Sequence, residues 1–475
     1  MGEEYGKEGG VKLVISLLTL ILFVWMAATS PMQGKILGIV ILALVLWSLY
    51  PKRHFTSSLF VIALLSLFEV SISPQEFIDS LLSTYGGSGL WIIIAGFILS
   101  EGMESSGLAK RIALWIVTSL GADPKKIILS VAVASLAISP LSPSTTAKAF
   151  LMLPICNGLI RAFDVKKGES RYGVAVMIMA MAANNICSTA FLTATVPNPI
   201  SASYIRNASS IDLGWLQWFQ MAMPLTLILL FFSWLVCSWM FKPEVKRSKE
   251  ALESIRGFKN SLGSFDSGEV LVAVLFSFSL LLWITEGVHG LNAGLISLVV
   301  SLLLFAPKIG VIKIGKFARE VPYGSITLFA ASMFLAKGVG RWGALDPVAE
   351  SIFEFFSLSR LSLLLFISLT IILSMLLHVV FTSTTVYATV IVPLSISLAG
   401  LQGLDPQTLA IPVAFLTPLA LILPVNTIPN VIFHSSGYFT QRQMVIYGVL
   451  TSLVSAVLII VVGLPYWASI GFIKI

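Results

Sequence analysis

Two copies of one short pattern hold the residues best suited to chemistry. Residues 144–154 read S-T-T-A-K-A-F-L-M-L-P, and residues 383–393 read S-T-T-V-Y-A-T-V-I-V-P. Both fit S-T-T-x2-A-x4-P, and both lie in otherwise apolar stretches. The hydroxyls of Ser144, Thr145, Thr146, Ser383, Thr384 and Thr385 are donors that avoid the cost of a fixed charge in an apolar medium. Placed where a helix begins, they would join unpaired N–H groups and a partial positive charge, an arrangement suited to an anion. Pro197-Asn198 and Pro429-Asn430 break two further apolar segments. Such breaks free backbone carbonyls, which suit a cation. Ser and Thr also bond back to helix carbonyls in membrane segments. Two copies in matching places favour a pathway over that structural role.

Lys148 follows Ser144 by about one helical turn. A lysine there must be paired or solvated. It reads as a fixed positive charge facing an anion, as a stand-in for a coupling cation, or as a side chain reaching a watery cavity. His378, just before Phe381-Thr382-Ser383, is either a gate titrating near neutral pH or a hydrogen-bonded core residue. Glu101, Arg206, Glu286 and Lys337 fall near the ends of apolar stretches, where an interfacial position is expected.

Other chemistries lack their motifs. The chain has no G-x4-G-K-[ST] loop, so ATP-driven transport by this chain alone is not expected. It has no H-E-x-x-H or C-x-x-C, so no metal site and no organic cofactor are expected. Cys156, Cys187 and Cys237 all sit in apolar segments and read as core residues. No acid–base pair or activated nucleophile stands at a suggestive spacing, and an enzyme is not expected.

The elements that position these residues follow from composition. Hydrophobic residues make up 57% of the chain and charged residues 11%. The mean hydropathy is +0.94. Soluble domains carry roughly 25% charge, so the solvent here is lipid. Many apolar stretches approach the roughly 20 residues that cross a bilayer, among them Leu13–Ala28, Ile36–Tyr50, Leu216–Met240, Val270–Thr285 and Met444–Val462. The formal charge of +7 resides in short loops. It orients the chain in the membrane and does not point to nucleic acid. The first apolar segment reads as a retained helix rather than a cleaved signal.

The polar stretch Phe241–Gly268, with Lys242, Lys246, Arg247, Lys249, Arg256 and Lys259, divides the chain into two halves. Gly338 follows Gly102 by 236 residues, Ser383 follows Ser144 by 239, and Pro429 follows Pro197 by 232. Ordered landmarks at nearly constant spacing mark an internal repeat. Lys52, Arg53, Lys110, Arg111, Lys125 and Lys126 mark inside loops, whereas Glu76 and Asp79 mark an outside loop. Arg161, Lys166, Lys167 and Arg171 lie inside as well. The segment 127–160 thus begins and ends on one face, and Pro140 and Pro143 leave limbs too short to span. It reads as a re-entrant hairpin with Ser144-Thr145-Thr146 at its tip. By the same reasoning 361–398 enters from outside. An all-α polytopic membrane protein is expected, an inverted repeat of about 11 spans and two re-entrant hairpins.

The landmarks Gly102–Ala113, Ser144–Pro154, Thr193–Pro199, Ser383–Pro393 and Pro424–Gly437 resemble those of the divalent anion/sodium symporter family. The similarity covers about Gly96 to Tyr466. That family includes sodium–dicarboxylate cotransporters and sodium-independent exchangers. The resemblance implies a dimerising scaffold and a transport domain that slides with its cargo, an elevator. It implies that both tips bind substrate carboxylates and help to form sodium sites, flanked by Thr195–Asn198 and Thr427–Asn430. Candidate substrate ligands are Ser144, Thr145, Thr146, Ser383, Thr384, Thr385, Lys148, Pro197, Asn198, Pro429 and Asn430. Candidate ion-coupling residues are Ser144, Thr145, Thr195, Ser383, Thr384, Asn426, Thr427 and His378. The chain departs from the family pattern at both tips, where Thr145 and Thr384 replace asparagine. Pro140 and Val379 stand where sodium-coupled members carry a hydroxyl. Lys148 and His378 resemble the exchangers, while the Pro-Asn loops resemble the symporters.

The expected division is scaffold helices over 1–105, a first transport repeat over 106–240 with a broken helix at 172–205, and a cytoplasmic linker over 241–268. Second scaffold helices over 269–340 and a second transport repeat over 341–475, with a broken helix at 408–435, complete it. The expected protein is a homodimer in the plasma membrane, with its N-terminus inside and its C-terminus outside. Its expected cargo is a small C4–C6 carboxylate, moved by sodium-independent exchange. The alternatives are sodium-coupled symport, with Na+ as the coupling ion, and a sulfate or arsenite permease.

Overall fold

A chain in lipid must satisfy its backbone polar groups internally, which leaves helices as the economical solution for spans of this apolar length. The structure is a computed structural model that describes residues 2–70, 74–119, 121–209, 211, 213–246, 249–260, 262–291 and 293–474. Arg247 and the side chains of Glu3, Glu4, Lys7, Glu76, Arg256 and Lys259 lie outside the described residues. Every regular element among the described residues is helical.

The first half contains α1 (Gly2–Thr29), α2 (Met32–Leu49), α3 (His54–Val70), α4 (Pro74–Tyr85), α5 (Ser88–Ser106) and α6 (Leu108–Ser119). It continues with α7 (Pro124–Ile138), α8 (Thr145–Arg161), α9 (Arg171–Ile186), α10 (Pro197–Ala208) and α11 (Trp215–Met240). Helix α12 (Lys249–Asn260) lies in the polar stretch between the halves. The second half holds α13 (Ser267–Ile284), α14 (Glu286–His289), α15 (Ala293–Leu302), α16 (Ile314–Glu320), α17 (Tyr323–Trp342) and α18 (Asp346–Phe355). After these come α19 (Leu363–Leu377), α20 (Thr384–Leu401), α21 (Gln407–Leu416), α22 (Ile428–His434), α23 (Gln441–Leu458) and α24 (Leu464–Ser469).

The helices α5–α11 correspond in order to α17–α23. Helix α5 ends at Gly107 (φ 78°) and α17 ends at Gly343 (φ 57°), the left-handed conformation that glycine adopts without strain. An amphipathic helix follows in each half, α6 and α18. Then come two antiparallel helices around a proline-containing or polar turn, α7–α8 and α19–α20. Pro154 lies inside α8 and Pro393 inside α20. In each half the next helix stops, the backbone runs through a one-turn 3₁₀ segment, and a new helix starts at a Pro-Asn pair. The 3₁₀ segments are Leu192–Ala194 and Pro424–Asn426.

Among the described residues, nine helical stretches are long and apolar enough to cross a bilayer. Shorter apolar helices include Leu363–Leu377 and Gln407–Leu416. The core centres on α9, whose residues Tyr172–Ile186 are all buried. Its alanines and Gly173 allow close approach of α7, α8, α11 and α22. The two halves interlock reciprocally: α8 packs on α22, and α10 packs on α20.

Candidate functional site

The first tip is built by two structural necessities. Pro140 lies in the 3₁₀ turn Ser139–Leu141 that ends the descending limb. The ascending helix α8 then starts at Ser144, whose hydroxyl accepts from Ala147 N at 3.1 Å. This serine cap satisfies one of the free N–H groups of the helix start. Ser383 caps α20 in the same way, accepting from Val386 N at 3.4 Å. Thr145 and Thr146, and Thr384 and Thr385, are half-buried in the first turns of the two helices.

Lys148 is 4% exposed. Its ammonium donates to Ser139 Oγ at 3.2 Å, Ser188 Oγ at 3.0 Å and the Ala194 carbonyl at 2.8 Å. Three oxygens thus use all three N–H bonds of the ammonium. They come from the hairpin turn, the end of α9 and the 3₁₀ break. The second half fills the matching place differently. Tyr387 stands where Lys148 stands, and its ring stacks on His378 at 3.8 Å. The hairpin turn is tied to the break by Asn426, whose Nδ2 donates to the carbonyls of His378 at 2.9 Å and Phe381 at 2.8 Å. His378 is buried and bonds the Leu416 carbonyl through Nε2 at 3.1 Å.

The Pro-Asn breaks do not leave their upstream carbonyls free. Asn198 Nδ2 donates to Ser188 O at 2.7 Å and Phe191 O at 2.8 Å. Asn430 Nδ2 donates to Ala420 O at 2.7 Å and Leu423 O at 3.1 Å. The two asparagines staple carbonyls ten and seven residues upstream in both halves. Carbonyls freed by such breaks could coordinate a cation; these four accept from the asparagine amides. Across the repeat, Asn185 Nδ2 donates to Asn430 Oδ1 at 2.8 Å. Thr195, Asn198, Pro197, Pro429, Asn430, Asn426 and Thr427 are all buried.

A cavity of about 720 Å³ opens beside the first tip. Ser100, Ser142, Ser144, Thr146 and Lys148 line it, with the exposed Glu104 and Lys110 also on its wall. Its other walls are largely apolar, from α5, α6 and α8. Thr145, the second tip, both Pro-Asn pairs and His378 do not line it. The structure therefore gathers Ser144, Thr146 and Lys148 at one cavity, and places the remaining candidates behind or apart from it.

Sequence reasoning missed Asn184, Asn185, Ser188, Ser100 and Ser142. Asn184 Nδ2 holds the Thr145 carbonyl at 3.2 Å. The run Asn184-Asn185-x-x-Ser188 inside an apolar helix was the available signal, because polar groups inside a membrane segment need partners. Glu101, expected at an interface, is buried and accepts from Lys316 Nζ at 2.9 Å.

Paired hairpins, broken helices and polar groups held in an apolar bundle define a polytopic membrane carrier. The chain belongs to the family described as the sodium:sulfate symporter transmembrane region, whose model matches residues 10–473. This is a family of transporters and not of enzymes, and the chain is a secondary transporter of the divalent anion/sodium symporter group. It is 27% identical to the sodium-dependent dicarboxylate transporter SdcS of Staphylococcus saprophyticus, over 97% of this chain and 92% of that one. It is 28% identical to SdcS of Staphylococcus aureus, over 94% and 88% of the two chains. Among solved structures, the YdaH transporter of Alcanivorax borkumensis, described as having an unusual topology, matches with a TM-score of 0.52 at 14% identity. The match covers 83% of this chain and 89% of that one. That likeness bears on the fold alone.

Proposed function

We propose that this protein exchanges small C4–C6 di- or tricarboxylates across the plasma membrane without sodium. Ser144, Thr145 and Thr146 at one tip, and Ser383, Thr384 and Thr385 at the other, hold the carboxylates. The observation that carries the reading is the Lys148 ammonium amid three oxygens. A hydroxyl–hydroxyl–carbonyl set of this kind is what a small hard cation takes as ligands. An ammonium fixed there supplies the positive charge that an anion needs, and leaves no place for the ion. In the second half, Asn426, His378 and Tyr387 fill the corresponding space with side chains.

Transport proceeds as an elevator. Residues 106–240 and 341–475 move with the cargo against a dimeric scaffold of residues 1–105 and 269–340, with 241–268 as a cytoplasmic linker. The N-terminus lies inside and the C-terminus outside. The reciprocal packing of α8 on α22 and α10 on α20 supports one moving unit built from both repeats.

The second reading is sodium-coupled dicarboxylate symport, favoured by the printed name of the SdcS relatives. The third is sulfate or arsenite permeation, which the family description partly echoes. One experiment separates them. Proteoliposomes preloaded with succinate take up labelled succinate in sodium-free buffer if exchange operates. Uptake that requires an inward sodium gradient and no internal substrate overturns it. Uptake of labelled sulfate, with none of labelled succinate, would move the assignment to an inorganic anion.

A further inference from the structure

The first tip is fastened to α5 by a hydroxyl relay. Ser100 Oγ, on α5, donates to Ser142 Oγ at 2.6 Å. Ser142 Oγ in turn accepts the backbone N–H of Ser144 at 3.1 Å. Its own hydrogen faces the Ser144 carbonyl at 3.5 Å. A serine hydroxyl has one hydrogen and two lone pairs, so Ser142 is saturated by α5 on one side and the tip on the other. Ser142 is 7% exposed, and all three serines line the same cavity. The tip is also seated closely on α5. A Cβ added at Gly96 would lie 3.2 Å from Pro143 Cγ. In the second half, the positions matching Ser100 and Ser142 are Ala336 and Phe381, neither of which can form such a relay.

The Ser144 amide is the shared group. It donates to Ser142, and a carboxylate arriving at the tip would compete for it, since one N–H serves one strong acceptor at a time. Resting on the exchange reading above, we infer that Ser100 is a positioning residue that couples cargo binding to release of the tip from α5. With the amide on Ser142, the relay holds the tip against the scaffold. A bound carboxylate draws the amide away and loosens the relay. This arrangement restrains movement of the unloaded carrier, which is the requirement for strict exchange.

The test uses the full-length protein in liposomes and compares exchange with net efflux of labelled succinate into substrate-free buffer. In Ser100→Ala, exchange persists and the ratio of net efflux to exchange rises about tenfold, the effect of one hydrogen bond near 1.4 kcal/mol. Ser100→Thr, which keeps the hydroxyl, restores the wild-type ratio. An unchanged ratio in Ser100→Ala with exchange intact overturns the inference. Absence of exchange in the wild-type protein would instead refute the transport reading itself.

Discussion

Asn185 and Asn430 meet across the repeat, the side-chain N–H of the first donating to the side-chain oxygen of the second at 2.8 Å. Asn430 spends its own N–H bonds on Ala420 and Leu423. One residue of the first repeat thereby completes the staple that shapes the break in the second. Asn185→Ala leaves Asn430 Oδ1 buried without this donor. A stability loss of about 1–3 kcal/mol is expected. It is measured as a lowered melting temperature of the detergent-solubilised protein. A melting curve matching the wild type would show that the contact contributes nothing.

Lys148→Ala removes the ammonium and leaves the oxygens of Ser139, Ser188 and Ala194 facing a small gap. Succinate exchange in sodium-free buffer should fall by two orders of magnitude or more, the effect of about 3 kcal/mol of charge-assisted hydrogen bonding. Sodium should then restore part of it, since the ion can take the same oxygens. Full sodium-free activity in Lys148→Ala would end the view that this lysine replaces a cation.

Thr146 stands in the first turn of α8 and lines the cavity. A hydrogen bond to a charged group contributes about 1.5–3 kcal/mol. Thr146→Val should therefore raise the KM for succinate at least tenfold, with a smaller change in kcat. Thr385→Val, at the second tip, should act in the same direction. If concentration dependence is unaltered in both variants, the hydroxyls do not hold substrate.

Arg111 clamps the end of the polar stretch between the halves. Its guanidinium meets Glu269 at 2.6 Å and donates to the carbonyls of Leu262, Gly263 and Ser264. Glu269 also closes the capping box of α13 with Asp266. Arg111→Ala strands a carboxylate that is only 5% exposed and should cost about 3 kcal/mol. Glu269→Gln, which keeps an acceptor for the arginine and the cap, should cost less. Thermal melts of the two variants in the opposite order would refute this account.

Gly448 on α23 lets the interrupted backbone of the second half pass. A Cβ there would collide with Leu421 O and lie 2.8 Å from Ile422 Cα. Because backbone cannot step aside as a flexible side chain can, Gly448→Ala should disturb the break and reduce both expression and melting temperature. Gly400, with open space around its Cβ, serves as the control, and equal effects at the two sites would contradict the steric argument.

Hydropathy, charge and recurrence along the chain are enough to establish the solvent, the helical class and the repeat. Hydropathy and charge are local and additive, so 11% charged residues already require lipid. Recurrence of S-T-T-x2-A-x4-P, in order with the other landmarks at nearly constant spacing, needs no third dimension to be seen, and the Pro-Asn pairs mark two breaks because proline removes a donor. Which polar group meets which follows from the packing of the helices. The partners of Lys148 at Ser188 and Ala194 lie 40 and 46 residues away, and Asn185 lies 245 residues from Asn430. No spacing rule reaches across such separations. In an apolar interior each polar group must find a partner among whatever the helix packing brings near, so the packing turned the Pro-Asn asparagines into staples and gathered Ser144, Thr146 and Lys148 around one cavity.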